Sequence, residues 1–220
     1  FRKLLVIALL LMVWPANAFG SDGIIVVKIE GAINPVVAEF VVNEIRSANT
    51  SSEELIIIRM DTPGGLDTSM RKIIKAIQSS KIPVASFVSP GGSRAASAGT
   101  FIAIASHIAA MEPGTNIGAA HPVNLMGGGT GGQAEVMEDK VVNDASAYIR
   151  SLAEQRGRNA YWAELSVRKS VSVSAEEAKR LNVIDLVAAN LDSLVLALDK
   201  REVKLGGRII TLNTAQKNII

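Results

Sequence analysis

A cysteine-free chain of 220 residues has room for one substantial core, and it excludes disulfides, a thiol nucleophile and thiolate metal ligation. Its formal charge of +2 comes from Arg2 and Lys3, the only charged side chains of residues 1–18; without them, 21 basic side chains face 21 acidic ones. A formally neutral domain gives no argument for a nucleic-acid footprint, which needs a clustered basic face.

Arg2 and Lys3 precede an apolar run from Leu4 to Trp14, and Ala16-Asn17-Ala18 follows as a small-x-small cleavage site. That order of charge, apolar core and cleavage site reads as a secretory signal peptide over residues 1–18, with one domain over 19–220. The apolar run is short for a bilayer span. Beyond it, strand and helix signals alternate. Ile24 to Glu30 is a β-branched run of the kind buried in parallel sheets. Asn34-Pro35 opens a helix with Val37, Phe40, Val41 and Ile45 on one face. Leu55 to Met60 reads as a second strand, a helix follows from Leu66 to Ser79, and Pro83 to Val88 is a third strand. Ser97 opens a further helix, and His107 to Met111 reads as a fourth strand. Pro122 to Gln133 interrupts the pattern with Gly127-Gly128-Gly129-Thr130-Gly131-Gly132, which lacks the Gly-Lys-Ser/Thr of a phosphate loop and reads as a flap or an inert loop. Glu135 to Glu154 is then helical, Ser174 with Glu177 forms a capping pair, and Lys204 to Leu212 reads as a closing hairpin. Strands alternating with helices predict an α/β fold with parallel crossovers.

Two segments stand at the loop ends of predicted strands, where such sheets gather functional groups: the turn Met60-Asp61-Thr62-Pro63-Gly64-Gly65, and Arg94-Ala95-Ala96-Ser97-Ala98-Gly99-Thr100. A serine among small residues at a helix start is commonly an N-cap. Paired with an upstream glycine turn, it also has the parts of acyl chemistry: a hydroxyl to attack and backbone donors to hold an oxyanion. The donors expected are the N–H groups of Gly65 and Ala98, with Ala95, Ala96, Ala98 and Gly99 leaving room for a substrate backbone. A serine nucleophile needs a base, and the candidates are His107, His121 and Lys140. A lysine serves only if it can shed its proton, and Glu138 and Asp139 oppose that wherever they face it.

The turn at 60–65, Ala96-Ser97-Ala98-Gly99, Gly114-Thr115-Asn116-Ile117-Gly118-Ala119-Ala120 and Ser174-Ala175-Glu176-Glu177-Ala178 together resemble the NfeD-type membrane-associated serine proteases of the ClpP/crotonase-fold class. The resemblance runs from about Ile24 to Ala188. It implies a ClpP/crotonase-like spiral of parallel strands and helices, and an exported endopeptidase with a Ser-Lys dyad that needs neither cofactor nor metal. The nucleophile maps onto Ser97 and the lysine onto Lys140. His121 falls close to the place of the ClpP histidine, but the triad's acid would fall near Ser166, where there is no carboxylate, and a histidine without an orienting group is a poor base. The resemblance also implies an extracytoplasmic protease domain, self-association, membrane segments beyond Ile220, and a polypeptide substrate drawn from stomatin-like membrane proteins. Two other classes fit the same residues: a non-proteolytic scaffold for such membrane partners, and a crotonase-like enzyme of acyl-CoA, which export disfavours.

Overall fold

β-branched runs that alternate with amphipathic helices give the chain a central parallel sheet with helices on one face and a smaller layer on the other. The structure, a computed structural model, describes residues 23–51, 53–123 and 132–220, with backbone alone for 132–136. The signal-peptide reading over 1–18 and the glycine-rich stretch at 124–131 lie outside the described residues. In chain order the elements begin β1 (Ile24–Glu30), α1 (Pro35–Ala48), β2 (Leu55–Asp61), α2 (Asp67–Ser79) and β3 (Val84–Val88). They continue through β4 (Arg94–Ala96), α3 (Ala98–Ala105), β5 (Ile108–Met111), β6 (Asn116–Gly118) and α4 (Gly132–Gln155). The rest are α5 (Ala160–Arg168), β7 (Ser172–Ser174), α6 (Ala175–Arg180), β8 (Leu186–Val187), α7 (Leu191–Leu198), β9 (Glu202–Leu205) and β10 (Arg208–Thr211).

The main sheet has the order β1-β2-β3-β5-β8, parallel throughout. The period of two along each strand sorts side chains between two cores. Ile56, Ile58 and Met60 face the helical layer of α1 to α4, whereas Leu55 and Ile57 face Leu194, Leu198 and Leu212. α1 buries Ala38, Val41, Ile45 and Ala48. Phe40, expected on that buried face, is instead 49% exposed, because the stripe follows the alanines one step around the helix.

A second sheet, β4-β6-β7, was too short in each strand to be read from periodicity. It is joined to the first through Thr62, which lies just beyond β2: its N–H donates to the Arg94 carbonyl (2.8 Å) and its carbonyl accepts from Ala96 (3.1 Å). This bridge brings the Pro-Gly-Gly turn beside the segment that leads into α3.

α3 is buried over its whole length and contains no charged residue. Its C-terminal carbonyls are met by two arginines. Arg158 donates to Ala103 (3.3 Å), Ile104 (2.6 Å) and Ser106 (2.9 Å) and pairs with Asp185 at 2.5 Å; Arg156 donates to Ala105 at 2.8 Å. Cations at a helix C-terminus satisfy orphan carbonyls and complement the dipole. They also charge the neighbourhood of His107, whose Nδ1 accepts from the Val84 N–H (3.2 Å). Burial, followed by repulsion from Arg156 and Arg158, lowers the His107 pKa to about 3. His107 is therefore a structural histidine at the strand start, and the same pocket lowers Arg156 to about 10, mainly by burial.

Because the folded His107 pKa lies below the ordinary value of 6.5, the unfolded chain binds the extra proton between those limits. The stability contributed by neutral His107 is complete above about pH 6.5 and is lost progressively as pH falls toward 3. Urea midpoints of the wild type and of His107→Gln, measured from pH 7 to pH 4, should diverge accordingly, with the wild type losing up to one proton's slope more, about 1.4 kcal/mol per pH unit.

Candidate active site

The turn after β2 is extended rather than helical, and Ile33 holds it on one side: Ile33 N–H donates to Gly64 (2.8 Å) and Leu66 N–H donates to Ile33 (2.9 Å). The Thr62 hydroxyl closes the turn against Gly64. No side chain fits at either glycine. A Cβ on Gly64 would stand 2.6 Å from the Ser97 Cβ and 3.0 Å from its Oγ, and one on Gly65 would stand 2.1 Å from the Ile33 carbonyl oxygen. The backbone at Gly64 thus lies directly against the Ser97 side chain, at φ +119°, a region that favours glycine.

Ser97 itself sits at φ +51°, ψ −116°, and its hydroxyl makes no capping bond to α3. The N-cap reading of its side chain is therefore not realised. The strain is held by neighbours: the Ser97 N–H donates to the Gly118 carbonyl (3.1 Å), and the Thr100 hydroxyl lies 2.9 Å from both the Ala95 and Gly118 carbonyls. Backbone forced into a sparse region is a recurrent property of reactive positions. Among the described residues, neither the Gly65 N–H nor the Ala98 N–H donates to another group. Gly99, expected to open space for substrate, packs instead on Thr62, where a Cβ would fall 2.6 Å from Cγ2. Ala95 is likewise fully buried.

Gly65, Ser97 and Ala98 open onto a groove of about 250 Å³ whose walls are mostly apolar, from Leu66, Met70, Phe101, Pro122, Val123, Val141 and Ala145, with the charged Asp67 among them. Val141 and Ala145 come from α4, one face of which covers the groove. Lys140 precedes Val141 on the same helix but is solvent-exposed and does not line the groove. Glu138 turns toward His121, with its Oε1 3.9 Å from Nε2.

His121 lines an adjoining cavity that shares Pro122, Val123 and Val141 with the groove. Its Nδ1 lies 2.9 Å from the Val167 carbonyl, which can only accept, so Nδ1–H donates there and Nε2 is the nitrogen turned toward Glu138. The residues offer His121 no carboxylate near Ser166, and main chain meets the ring instead. A main-chain carbonyl beside Ser166 supplies the orientation that a carboxylate would, and no sequence signal reports a carbonyl.

A cluster missed in the sequence lies next to the groove. Arg71 of α2 binds Asp67 through Nε (2.9 and 3.1 Å), reaches Asp144 of α4 at 2.5 Å, and rests its guanidinium 4.2 Å above the centroid of the Tyr148 ring. Tyr148 in turn stacks on Phe101 in the groove wall. Burial opposes the Arg71 charge, but Asp67, Asp144 and Tyr148 more than offset it and raise its pKa. The i,i+4 spacing of Asp67 and Arg71 was the one available hint.

A central parallel sheet joined to a short second sheet, with a serine at a helix start against a glycine turn, defines a ClpP-like α/β fold. The chain belongs to the NfeD1b N-terminal domain family, whose sequence model matches residues 23–197. It is 38% identical over 214 residues to the "Membrane-bound protease PH1510" of Pyrococcus horikoshii, covering 96% of this chain and 48% of that protein. It is 27% identical over 202 residues to the "Membrane protein NfeD1b" of Bacillus subtilis, covering 87% and 45%. The chain thus spans about half the length of these relatives. Among solved structures it matches the 1510-N membrane-bound stomatin-specific protease as a lysine-to-alanine mutant with a substrate peptide, at TM-score 0.82 and 38% identity, over 91% of each chain. A serine-to-alanine mutant of the same protease matches at TM-score 0.82 and 37% identity, over 91% of this chain and 97% of that one.

The close approach at Gly64 yields a direct expectation. Gly64→Ala forces the Ser97 side chain away, so labelling of Ser97 by a fluorophosphonate probe should slow by roughly 10²-fold or more, the scale of losing one oxyanion donor. Far-UV circular dichroism should stay near that of the wild type, since the turn lies outside both cores; unchanged labelling would mean that the turn takes no part.

Proposed function

We propose that this chain is the catalytic domain of a serine endopeptidase that cuts apolar polypeptide segments. The observation that carries the reading is the uncapped Ser97 hydroxyl on a backbone at positive φ, in a groove lined also by Gly65 and Ala98, whose N–H groups are unengaged. Ser97 Oγ attacks the scissile carbonyl while Lys140 Nζ takes its proton. The Gly65 and Ala98 N–H groups hold the resulting oxyanion. The tetrahedral intermediate collapses to an acyl-Ser97, and the amine leaves with the proton carried by Lys140. Water, deprotonated by the same amine, then releases the acid and restores Ser97.

Lys140 is exposed and directly precedes Val141 of the groove wall, so on this reading it swings inward when substrate excludes water. Its four-carbon stem gives it that reach, and desolvation favours the neutral amine. The relatives' names point to a stomatin-like membrane protein as the source of the substrate segment, and Leu66, Met70, Phe101 and Val141 suit such apolar side chains. Among the described residues no helix is long and apolar enough to cross a membrane. On this reading residues 1–18 serve as the export signal that sets the domain on the extracytoplasmic side.

A second assignment of the base has its own support. His121 is oriented through Nδ1 by the Val167 carbonyl and lines the cavity adjoining the groove, with Nε2 beside Glu138. Cleavage of an apolar peptide patterned on a stomatin C-terminal segment separates the two. Ser97→Ala should abolish turnover, Lys140→Ala should lower kcat at least 10²-fold, and His121→Ala should stay within about fivefold of wild type, given the usual weight of a general base. Loss in the His121 variant alone would transfer the role of base to it, and no turnover by folded wild type would favour a scaffold.

A further inference from the structure

The C-terminal end of α3 adjoins a second cavity, of about 410 Å³, that shares no lining residue with the groove at Ser97. Four parts of the chain enclose it: the start of β5 at His107 and Ile108, the end of α4 with the turn after it, Asp185 ahead of β8, and Arg201 to Lys204 at β9. Val203 and Leu205 are buried and anchor β9 as one wall. The inner charges do not balance. Asp185 is the one carboxylate among the partly buried lining residues, and three guanidiniums stand around it. Arg158, 6% exposed, takes its Oδ2 at 2.5 Å, and Arg201 lies 3.8 Å from its Oδ1; the Ala109 N–H donates to Oδ2 as well (2.6 Å). Arg156 is left with the Ala105 carbonyl as its side-chain partner and forms no ion pair among the described residues. Burial, and then repulsion from Arg158, accounts for its lowered pKa, which Asp185 offsets only in part. The surplus shows at Arg158 too, whose Nε is buried without an acceptor among the described residues. Glu154, Glu202 and Lys204 stand at the exposed rim, where water screens them. His107 adds a neutral donor. Its Nδ1 accepts from the Val84 N–H, so the ring proton sits on Nε2, which has no acceptor among the described residues.

We infer that this cavity is a binding site for a small, multiply charged oxyanion of the phosphate or carboxylate kind, held by Arg156 and Arg201 with the His107 Nε2–H as a neutral donor. A cation taken out of water without a counter-charge is costly, and a ligand that supplies the charge recovers that cost. A guanidinium presents paired N–H groups that match two oxygens of a phosphate or a carboxylate, and charge-assisted bonds of this kind are strong. The Nε bond to Ala105 fixes the Arg156 guanidinium and leaves its two terminal nitrogens for a ligand. The volume exceeds what one inorganic phosphate fills and lies within the range of small-molecule pockets, so the anionic group belongs to a compact molecule.

The chain's two histidines provide the readout, since His107 lines this cavity and His121 lines the one beside the groove. With isotope-labelled histidine at pH 7 and constant ionic strength, inorganic phosphate should move the His107 ring resonances along a saturable curve while those of His121 stay in place. A parallel titration with citrate tells whether the site prefers phosphate or carboxylate oxygens. Arg156→Met should raise the fitted Kd about tenfold or more, the weight of a lost hydrogen bond to a charged group. Arg201→Met, which leaves the α3 cap intact, should raise it about two- to fivefold, as for a partly exposed pair. At about ten times the Kd, phosphate should raise the wild-type Tm by about 3–6 °C more than that of Arg156→Met. The general stabilising action of phosphate falls on both proteins alike and drops out of that difference. Should Arg156→Met fail to fold, the Arg201→Met titration decides. His107 shifts that are absent or unsaturable with both anions, or a Kd unchanged in the folded arginine variants, would overturn the inference.

Discussion

The groove depends on one steric fact: the backbone at Gly64 lies against the Ser97 side chain with no room for a Cβ between them. Two chain segments from different sheets are forced together there, and each is held from behind. Ile33 pins the turn through the Gly64 carbonyl and the Leu66 N–H, while Gly118 pins Ser97. Thr62 joins the two, since its main chain pairs with Arg94 and Ala96 and its hydroxyl closes the turn. Remove the contact and the strained serine, the unengaged N–H groups and the apolar walls no longer share a location.

The division of labour follows from that arrangement. The side of the groove that holds Ser97 and the Gly65 and Ala98 N–H groups is built from main chain and sheet bridges, which tolerate little movement. The other side comes from α4, a helix whose Lys140 is solvated.

Much of this was legible in the residues. The β-branched runs at 24–30, 55–60 and 83–88 marked the strands because buried parallel strands select such residues on both faces. The 60–65 turn and Ser97 declared themselves through glycine and small residues. Phe40 misled because helical spacing alone does not say whether the alanines or the aromatic face inward. Strands of three residues, at 94–96, 116–118 and 172–174, carry no period to detect. The Arg71–Asp144 pair joins positions 73 residues apart, and the Val167 carbonyl that orients His121 has no side-chain signature at all. Such features come from tertiary packing, which local patterning does not encode.

α3 begins at Ser97 and ends under Arg156 and Arg158. Its eight buried, uncharged residues form a dipole some 12 Å long, sealed from counterions along its flank. The two guanidiniums outweigh Asp185 at the far pole, so cap and dipole project a potential of the same sign toward the serine. The helix therefore acts as a permanently polarised rod, insulated by the core and aimed at Ser97. Its field is installed when the chain folds and needs no rearrangement when a peptide arrives.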